Sequence, residues 1–371
     1  MAREVAARLA DPENFVVIDP DKRRPGVLAY GELGLVPLYA ALDRRDPGAG
    51  WHALGHRFLT LALRAGATSR AGLFDGGIAG MGAAAAALRG GTDHYGGLLG
   101  RVDAAVSAVP DHDLVSGTSG AALYLLMRPP ARKRDDLADA LTAGARPASP
   151  MPAHRVPAGW AVGERYTDCG LSHGAAGSLA VLALLASQGT VRADGIRALA
   201  DWLLDVARHD EWGTVWPAGV DERRWHPSPR RASWCYGVPG VARALRLAGE
   251  ALDEPRYRQA ADEAMARLLA APRAWGLDSL GVCHGLAGLL LMTAAFASGP
   301  ASTPGGVAPH GDDFATAAEG LFDRLCEAYD GRRALGFEVA DAGLLTGAAG
   351  IALALLAVTG DVPAMSLFLA A

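Results

Sequence analysis

Three short segments of the chain place residues capable of metal or proton chemistry immediately around a glycine. They are Ser172-His173-Gly174, Trp234-Cys235-Tyr236-Gly237 and Cys283-His284-Gly285. Cys235, Cys283 and His284 together make a set of two thiols and one imidazole. Zinc favours thiolate and imidazole ligands, and a catalytic zinc keeps its fourth position for water or substrate. Three protein ligands suit such a site better than a closed structural one, which His173 would complete as a fourth. Each motif alone has a plainer explanation. A cysteine between Trp and Tyr is ordinarily a buried small hydrophobe, and an adjacent Cys-His pair is ordinarily incidental. Their shared placement before a glycine raises them above coincidence. Outside the ligand set, His173 is a candidate general acid or base. Asp113 lies four residues before Gly117 and could orient a histidine, or place a negative charge at a helix N-terminus. Arg231 lies four residues before Cys235 and could hold an oxyanion or a substrate carboxylate, or be one of several surface arginines there. Cys169 and Cys326 lack the placement and read as packing.

The elements that must position these residues repeat along the chain. A Gly-x-x-Gly step recurs seven times, at Gly31-Gly34, Gly77-Gly80, Gly117-Gly120, Gly174-Gly177, Gly237-Gly240, Gly285-Gly288 and Gly347-Gly350. Apolar runs such as Ser178 to Leu185, Leu289 to Phe296 and Ile351 to Val358 follow it. Between them lie amphipathic stretches such as Gly195 to Arg208 and Pro255 to Leu269, where Leu199, Trp202, Leu203 and Val206 keep the helical period. Each unit therefore predicts a loop, a glycine turn, an inner apolar helix and an outer amphipathic one. Seven such pairs predict an all-α fold, an α/α toroid of seven inner and seven outer helices, with residues 1–371 as a single domain and the last unit packed on the first. In that arrangement the three motifs converge on one end of the central cavity. Residues 128–165, rich in Pro, Arg and Ala, predict an irregular loop region with one short helix near Arg134 to Thr142. Few alternating strand patterns are visible.

Composition narrows the function classes. The chain has 371 residues and a net charge of −5, which speaks against a nucleic-acid partner. No run of about 18 uninterrupted apolar residues marks a membrane span, and Met1 to Asp11 lacks the apolar core of a signal peptide. The expected location is cytoplasmic. Four cysteines in a chain of this length do not make a disulfide framework.

The motifs Trp234-Cys235-Tyr236-Gly237-Val238-Pro239-Gly240, Cys283-His284-Gly285-Leu286-Ala287-Gly288 and Gly170-Leu171-Ser172-His173-Gly174 resemble those of the lanthionine synthetase C family, the lanthipeptide cyclases. The closing Leu344-Leu345-Thr346-Gly347-Ala348-Ala349-Gly350 is similar as well, so the resemblance runs from about Gly31 to Val358. It implies the same seven-plus-seven toroid. It also implies one Zn2+ per chain on Cys235, Cys283 and His284, with His173, Asp113, Arg231 and Tyr236 as the catalytic residues. The implied reaction adds peptide cysteine thiols to dehydroalanine or dehydrobutyrine, closing (methyl)lanthionine thioether rings. The implied partners are a dehydrated precursor peptide, leader and core, and a dehydratase in a biosynthetic complex. Through such a complex the enzyme would sit peripherally at the membrane. No appended dehydratase or kinase region is visible, which predicts a free-standing cyclase. Three alternatives use parts of the same pattern: an enzyme adding glutathione or another free thiol to dehydrated residues, a non-catalytic peptide-binding scaffold, and a toroidal glycosidase or terpene cyclase. The last pair would need a carboxylate pair across the cavity or an aspartate-rich motif, and neither stands at the unit starts.

Overall fold

The computed structural model describes residues 1–11, 24–69, 71–90, 94–144, 166–222, 224–298, 311–339, 341–360 and 363–370. Fourteen helices stand among these residues, alternately outer and inner along the chain. They are α1 (Ala2–Arg8), α2 (Val36–Arg45), α3 (Trp51–Ala65), α4 (Ile78–Arg89), α5 (Gly96–Ala105), α6 (Thr118–Leu126), α7 (Lys133–Gly144), α8 (Ala175–Ser187), α9 (Ala193–Val206), α10 (Val238–Ala251), α11 (Pro255–Leu269), α12 (Leu286–Ala297), α13 (Gly311–Glu327) and α14 (Ala348–Ala357). The even-numbered helices are the inner ones. Helices α8, α12 and α14 are apolar and buried nearly all round, as a helix enclosed by neighbours must be. Helix α9 instead buries Ile196, Leu199, Ala200 and Leu203, one stripe at helical spacing, and turns its other face outward.

Each inner helix packs on the next, and α14 returns to α2, so the ring closes as an α/α toroid. The outer partner of α14 is α1. The repeat read as inner-then-outer thus closes by permutation: the helix that completes the seventh pair comes before the first. Six of the seven inner helices begin at the first glycine of their step, Gly77, Gly117, Gly174, Gly237, Gly285 and Gly347, each in extended conformation. In the first unit a 3-10 turn, Glu32–Leu35, leads from Gly31 into α2. The second glycine has a steric cause. A Cβ on Gly177 would lie 2.3 Å from the carbonyl oxygen of Leu171, so the loop can fold back over its own helix only if that side chain is missing.

The loops before the seven inner helices are joined edge to edge by backbone hydrogen bonds. Ala29 N–H donates to Phe74, Phe74 to Val115, Leu114 to Ser172, Leu171 to Cys235, Cys235 to Cys283, Cys283 to Leu345, and Leu345 back to Ala29, at 2.8–3.1 Å. This closed circle gives every unit an equivalent position at one end of the toroid. Under it, Trp234 packs edge-to-face on Phe74 and Phe368, and its indole N–H donates to the Phe368 carbonyl at 3.0 Å. The segment Leu367, Phe368 and Leu369 is buried and also receives Arg243 from α10, so it fills space between inner helices on opposite sides of the ring.

Among the described residues five short strands interrupt the helical pattern: β1 (Thr167–Asp168), β2 (Arg208–Asp210), β3 (Gly213–Val215), β4 (Pro217–Val220) and β5 (Trp225–Pro227). They form an antiparallel β1-β4-β5 sheet and a β2-β3 hairpin beside the loops that carry His173 and Cys235. Strands of 2–4 residues are too short to show alternation in sequence. The helix expected near Arg134 to Thr142 is α7. Most of the irregular region after it, 145–165, lies outside the described residues. No helix among the described residues is long and apolar enough to cross a membrane.

Candidate metal centre and active site

The loop circle brings Cys235 and Cys283 side by side, since each occupies the equivalent position in adjacent units, and His284 follows directly. The two sulfurs and an imidazole nitrogen all lie within 4.8 Å of one another, a spacing that one metal ion could bridge. Cys235 is buried while Cys283 and His284 are half-buried, so the cluster is partly open to solvent. The Cys283 thiol donates toward Cys235, which pulls Cys235 below the ordinary thiol range and pushes Cys283 well above it. Burial, helped by the Arg230 guanidinium, lowers the pKa of His284 and favours neutral imidazole, the ligand form. Two thiols close enough to share a proton, beside a neutral histidine, are a donor set that fits zinc.

His173 stands in the neighbouring unit, one residue after the position equivalent to Cys235. Its Nδ1 lies 2.8 Å from Asp113 Oδ2, and the histidine is 33% exposed against 1% for the aspartate. The carboxylate is itself fixed. Asp113 Oδ1 accepts from the backbone N–H groups of Ser116 at 2.7 Å and Gly117 at 2.9 Å. A buried acceptor at Nδ1 directs Nε2 away from Asp113, the arrangement of an oriented acid–base histidine. Asp113 comes from the third unit and His173 from the fourth, so the pair spans two units.

Tyr236 follows the same rule one unit further on. Its hydroxyl donates to Asp168 Oδ2 at 2.8 Å, and its ring lies 6.3 Å from that of His173, tilted by 35°. Burial pushes the phenol far above its usual pKa, with the Asp168 charge adding to it. The ring is close to Gly170, where a Cβ would meet Tyr236 Cδ1 and the Cys235 carbonyl oxygen at 2.8 Å; only glycine admits this approach.

Arg231 is buried, and the structure places its donors on the β2-β3 hairpin. Nη1 reaches Asp210 Oδ2 at 2.6 Å, and Nη2 reaches the carbonyls of Gly213 and Thr214 at 3.0 and 3.1 Å. The neighbouring Arg230 is the arginine whose charge acts on Cys283 and His284. It is held by Asp278, with contacts of 3.0 and 2.7 Å to Oδ2. Cys169 is fully buried and Cys326 half-buried on α13, both in packing positions. Sequence reasoning missed Asp168, Arg230 and Asp278. A signal for Asp168 existed: it stands six residues before its step glycine, as Asp111 and Asp341 do before theirs.

Known proteins share the fold and, over part of the chain, the sequence. The family profile described as "Lanthionine synthetase C-like protein" matches residues 24–368. "Nisin biosynthesis protein NisC" of Lactococcus lactis subsp. lactis is 28% identical over 141 residues, 35% of this chain; the matched stretch spans about a third (33%) of that relative's length. The solved structure titled "Nisin cyclase" superposes with a TM-score of 0.75 at 19% identity, covering 99% of this chain and 96% of that one. At that identity the superposition speaks for the fold.

Proposed function

The chain belongs to the lanthionine synthetase C-like family, and from that premise we propose that it is a zinc-dependent lanthipeptide cyclase, adding cysteine thiols of a dehydrated precursor peptide to its dehydroalanine and dehydrobutyrine residues. One observation carries the reading: a two-thiol, one-imidazole cluster and an oriented His-Asp pair occupy adjacent positions of one loop circle.

Cys235, Cys283 and His284 would hold the zinc. When bound, the metal supplies a Lewis acid that keeps an incoming thiol as thiolate at neutral pH, where a free cysteine with pKa near ~8.5 is mostly protonated. The protein's residues do the rest. In the addition, the sulfur–carbon bond forms at the β-carbon, the carbon–carbon double bond becomes an enolate, and one proton returns to the α-carbon. No atom leaves. His173 moves that proton, with Asp113 holding its Nδ1–H so that Nε2 serves the substrate. Tyr236 faces His173 across the site. Arg231 enters as the anchor of the β2-β3 hairpin beside it.

A dehydratase would supply the substrate, because unmodified serine and threonine offer no electrophilic carbon. The test is to incubate the zinc-loaded protein with a dehydrated, cysteine-containing peptide, in one arm alone and in a second with glutathione, and to count free thiols by alkylation and mass, subtracting non-enzymatic addition. Loss of peptide thiols without change in mass is the expected result. Addition of glutathione to the peptide with its own cysteines left free would overturn ring closure in favour of intermolecular thiol addition. No catalysis in either arm would overturn the enzyme reading.

A further inference from the structure

Two buried carboxylates in the ring, Asp168 and Asp341, hold the same local turn and differ in what the second oxygen touches. Asp168 Oδ1 accepts from Gly170 N–H at 2.7 Å, and Asp341 Oδ1 accepts from Gly343 N–H at 2.7 Å. Each stands six residues before the step glycine of its unit, and both are buried. Asp341 Oδ2 then accepts from Thr346 Oγ1 at 2.6 Å, a hydroxyl of its own loop. Asp168 Oδ2 instead reaches into the next unit and accepts from the Tyr236 hydroxyl at 2.8 Å. The turn alone therefore does not require the Tyr236 contact. A buried carboxylate is costly to maintain unless its oxygens are satisfied, and one of these oxygens is satisfied by a residue beside the metal cluster. The same cross-unit step already appears in Asp113 and His173. Two aromatic side chains facing one another at 6.3 Å are thus each clamped by an aspartate of the preceding unit.

We propose that Asp168 is a positioning residue of the reaction: it takes the Tyr236 proton in a hydrogen bond, so the phenolic oxygen meets the substrate as an acceptor and the proton transfer is left to His173. Tyr236 cannot donate toward substrate while its only O–H points at Asp168. Its oxygen keeps lone pairs able to accept, and an N–H of the peptide being cyclised is a donor that would suit them. This role rests on the cyclase reading, so the experiment has one arm that does not.

In the kinetic arm, zinc-loaded Asp168→Asn, Tyr236→Phe and the double variant are assayed for ring closure, with Asp341→Asn as the control for the turn. In Asp168→Asn the surviving oxygen stays on Gly170 N–H and the amide offers a donor to the hydroxyl, turning the phenol round. The expected loss in kcat is about tenfold to a hundredfold, the range of a hydrogen bond to a charged group, with KM within about twofold. The double variant should be no worse than the poorer single one, because the pair acts as a unit. Asp341→Asn should keep wild-type kcat. Asp168→Glu, which keeps the charge and displaces it, should fall between wild type and Asp168→Asn and carries the test if the asparagine variant does not fold. Wild-type kcat in Asp168→Asn, or losses that multiply in the double variant, would overturn the proposal. In the second arm, ultraviolet resonance Raman difference spectra against Tyr236→Phe isolate the Tyr236 doublet, whose intensity ratio distinguishes a donor from an acceptor phenol. A donor signature in wild type that vanishes in Asp168→Asn supports the pairing; an unchanged signature overturns it. A wild-type protein that cyclises nothing overturns the cyclase reading, and the Raman arm then decides the pairing by itself.

Discussion

The two arcs of the loop circle are built alike and carry different side chains. Ala29, Phe74 and Leu345 in the first, second and seventh units occupy the positions that Ser172, Cys235 and Cys283 occupy in the fourth, fifth and sixth, and all join the same backbone hydrogen-bond circle. In the residue just before the step glycine, Tyr30, Gly76 and Thr346 stand where His173, Tyr236 and His284 stand on the other side. The apolar arc shows that the circle and the glycine turns need no reactive side chain. The reactive arc shows that a cluster able to hold a metal can be written into the same turns by side-chain identity alone. The candidate site is thus carried on a scaffold whose stability comes from elsewhere, chiefly the buried inner helices.

If that contrast holds, the largest effect comes from erasing the ligands. The Cys235→Ala, Cys283→Ala double variant should lose bound zinc stoichiometrically and fall to the uncatalysed rate of thiol addition, while keeping wild-type helicity. Its Tm should match that of zinc-stripped wild type, because the metal stabilises only the state that binds it. Metal analysis and circular dichroism check this. Zinc retained in full would refute the ligand set, and a collapse of helicity beyond that of stripped wild type would refute the division between scaffold and site.

A smaller effect separates the metal from the proton. His173→Ala should keep its zinc and lose about 10²–10⁴-fold in ring closure, the range of a positioned general acid or base. His173→Asn should do no better, since an amide bonds to Asp113 but carries no proton between groups. Counting peptide thiols against time measures it. Zinc lost in step with His173 would make the residue a fourth ligand and the site structural.

The arcs also explain what was legible in sequence. The glycine steps are visible because backbone contact demands glycine: a Cβ on Gly350 would meet the Leu344 carbonyl oxygen at 1.9 Å. The inner helices are visible because enclosure demands apolar residues all round. The cluster of Cys235, Cys283 and His284 could be read because the two cysteines share a unit position and His284 follows one of them directly, and position in a repeat becomes position in space. The closing helix α1 could not be read as the partner of α14, because sequence order says nothing about a permuted seam. Asp168 was hidden because its turn is shared with Asp341, and only the direction of one oxygen tells them apart. Arg230 and Arg231 were indistinguishable as adjacent arginines; one residue of chain rotation sends one to Asp278 and the other to the hairpin.

The smallest predicted effect tests whether the reactive arc costs stability that the apolar arc does not. Asp168 is buried, and burial raises its pKa from the ordinary 3.8 to about 6, against the lowering pull of Gly170 N–H, Tyr236 and His173. Its folded-state pKa therefore lies above its unfolded one, so the folded protein holds this proton more tightly. The stability this gives is fully present below about pH 4 and is lost as pH rises through about 6. Asp168→Asn cannot titrate and should lack this component. Between about pH 4.5 and about pH 7 the stability of wild type relative to Asp168→Asn should fall by about 2 kcal/mol, since each tenfold difference in proton affinity between folded and unfolded chain is worth about 1.36 kcal/mol. Zinc-ligand protonation is common to both proteins and cancels in the difference. Urea unfolding of each at both pH values measures it. A difference that is flat with pH, or of opposite sign, would mean that Asp168 is as well solvated as a surface carboxylate, and that the reactive arc costs the fold no more than the arc without chemistry.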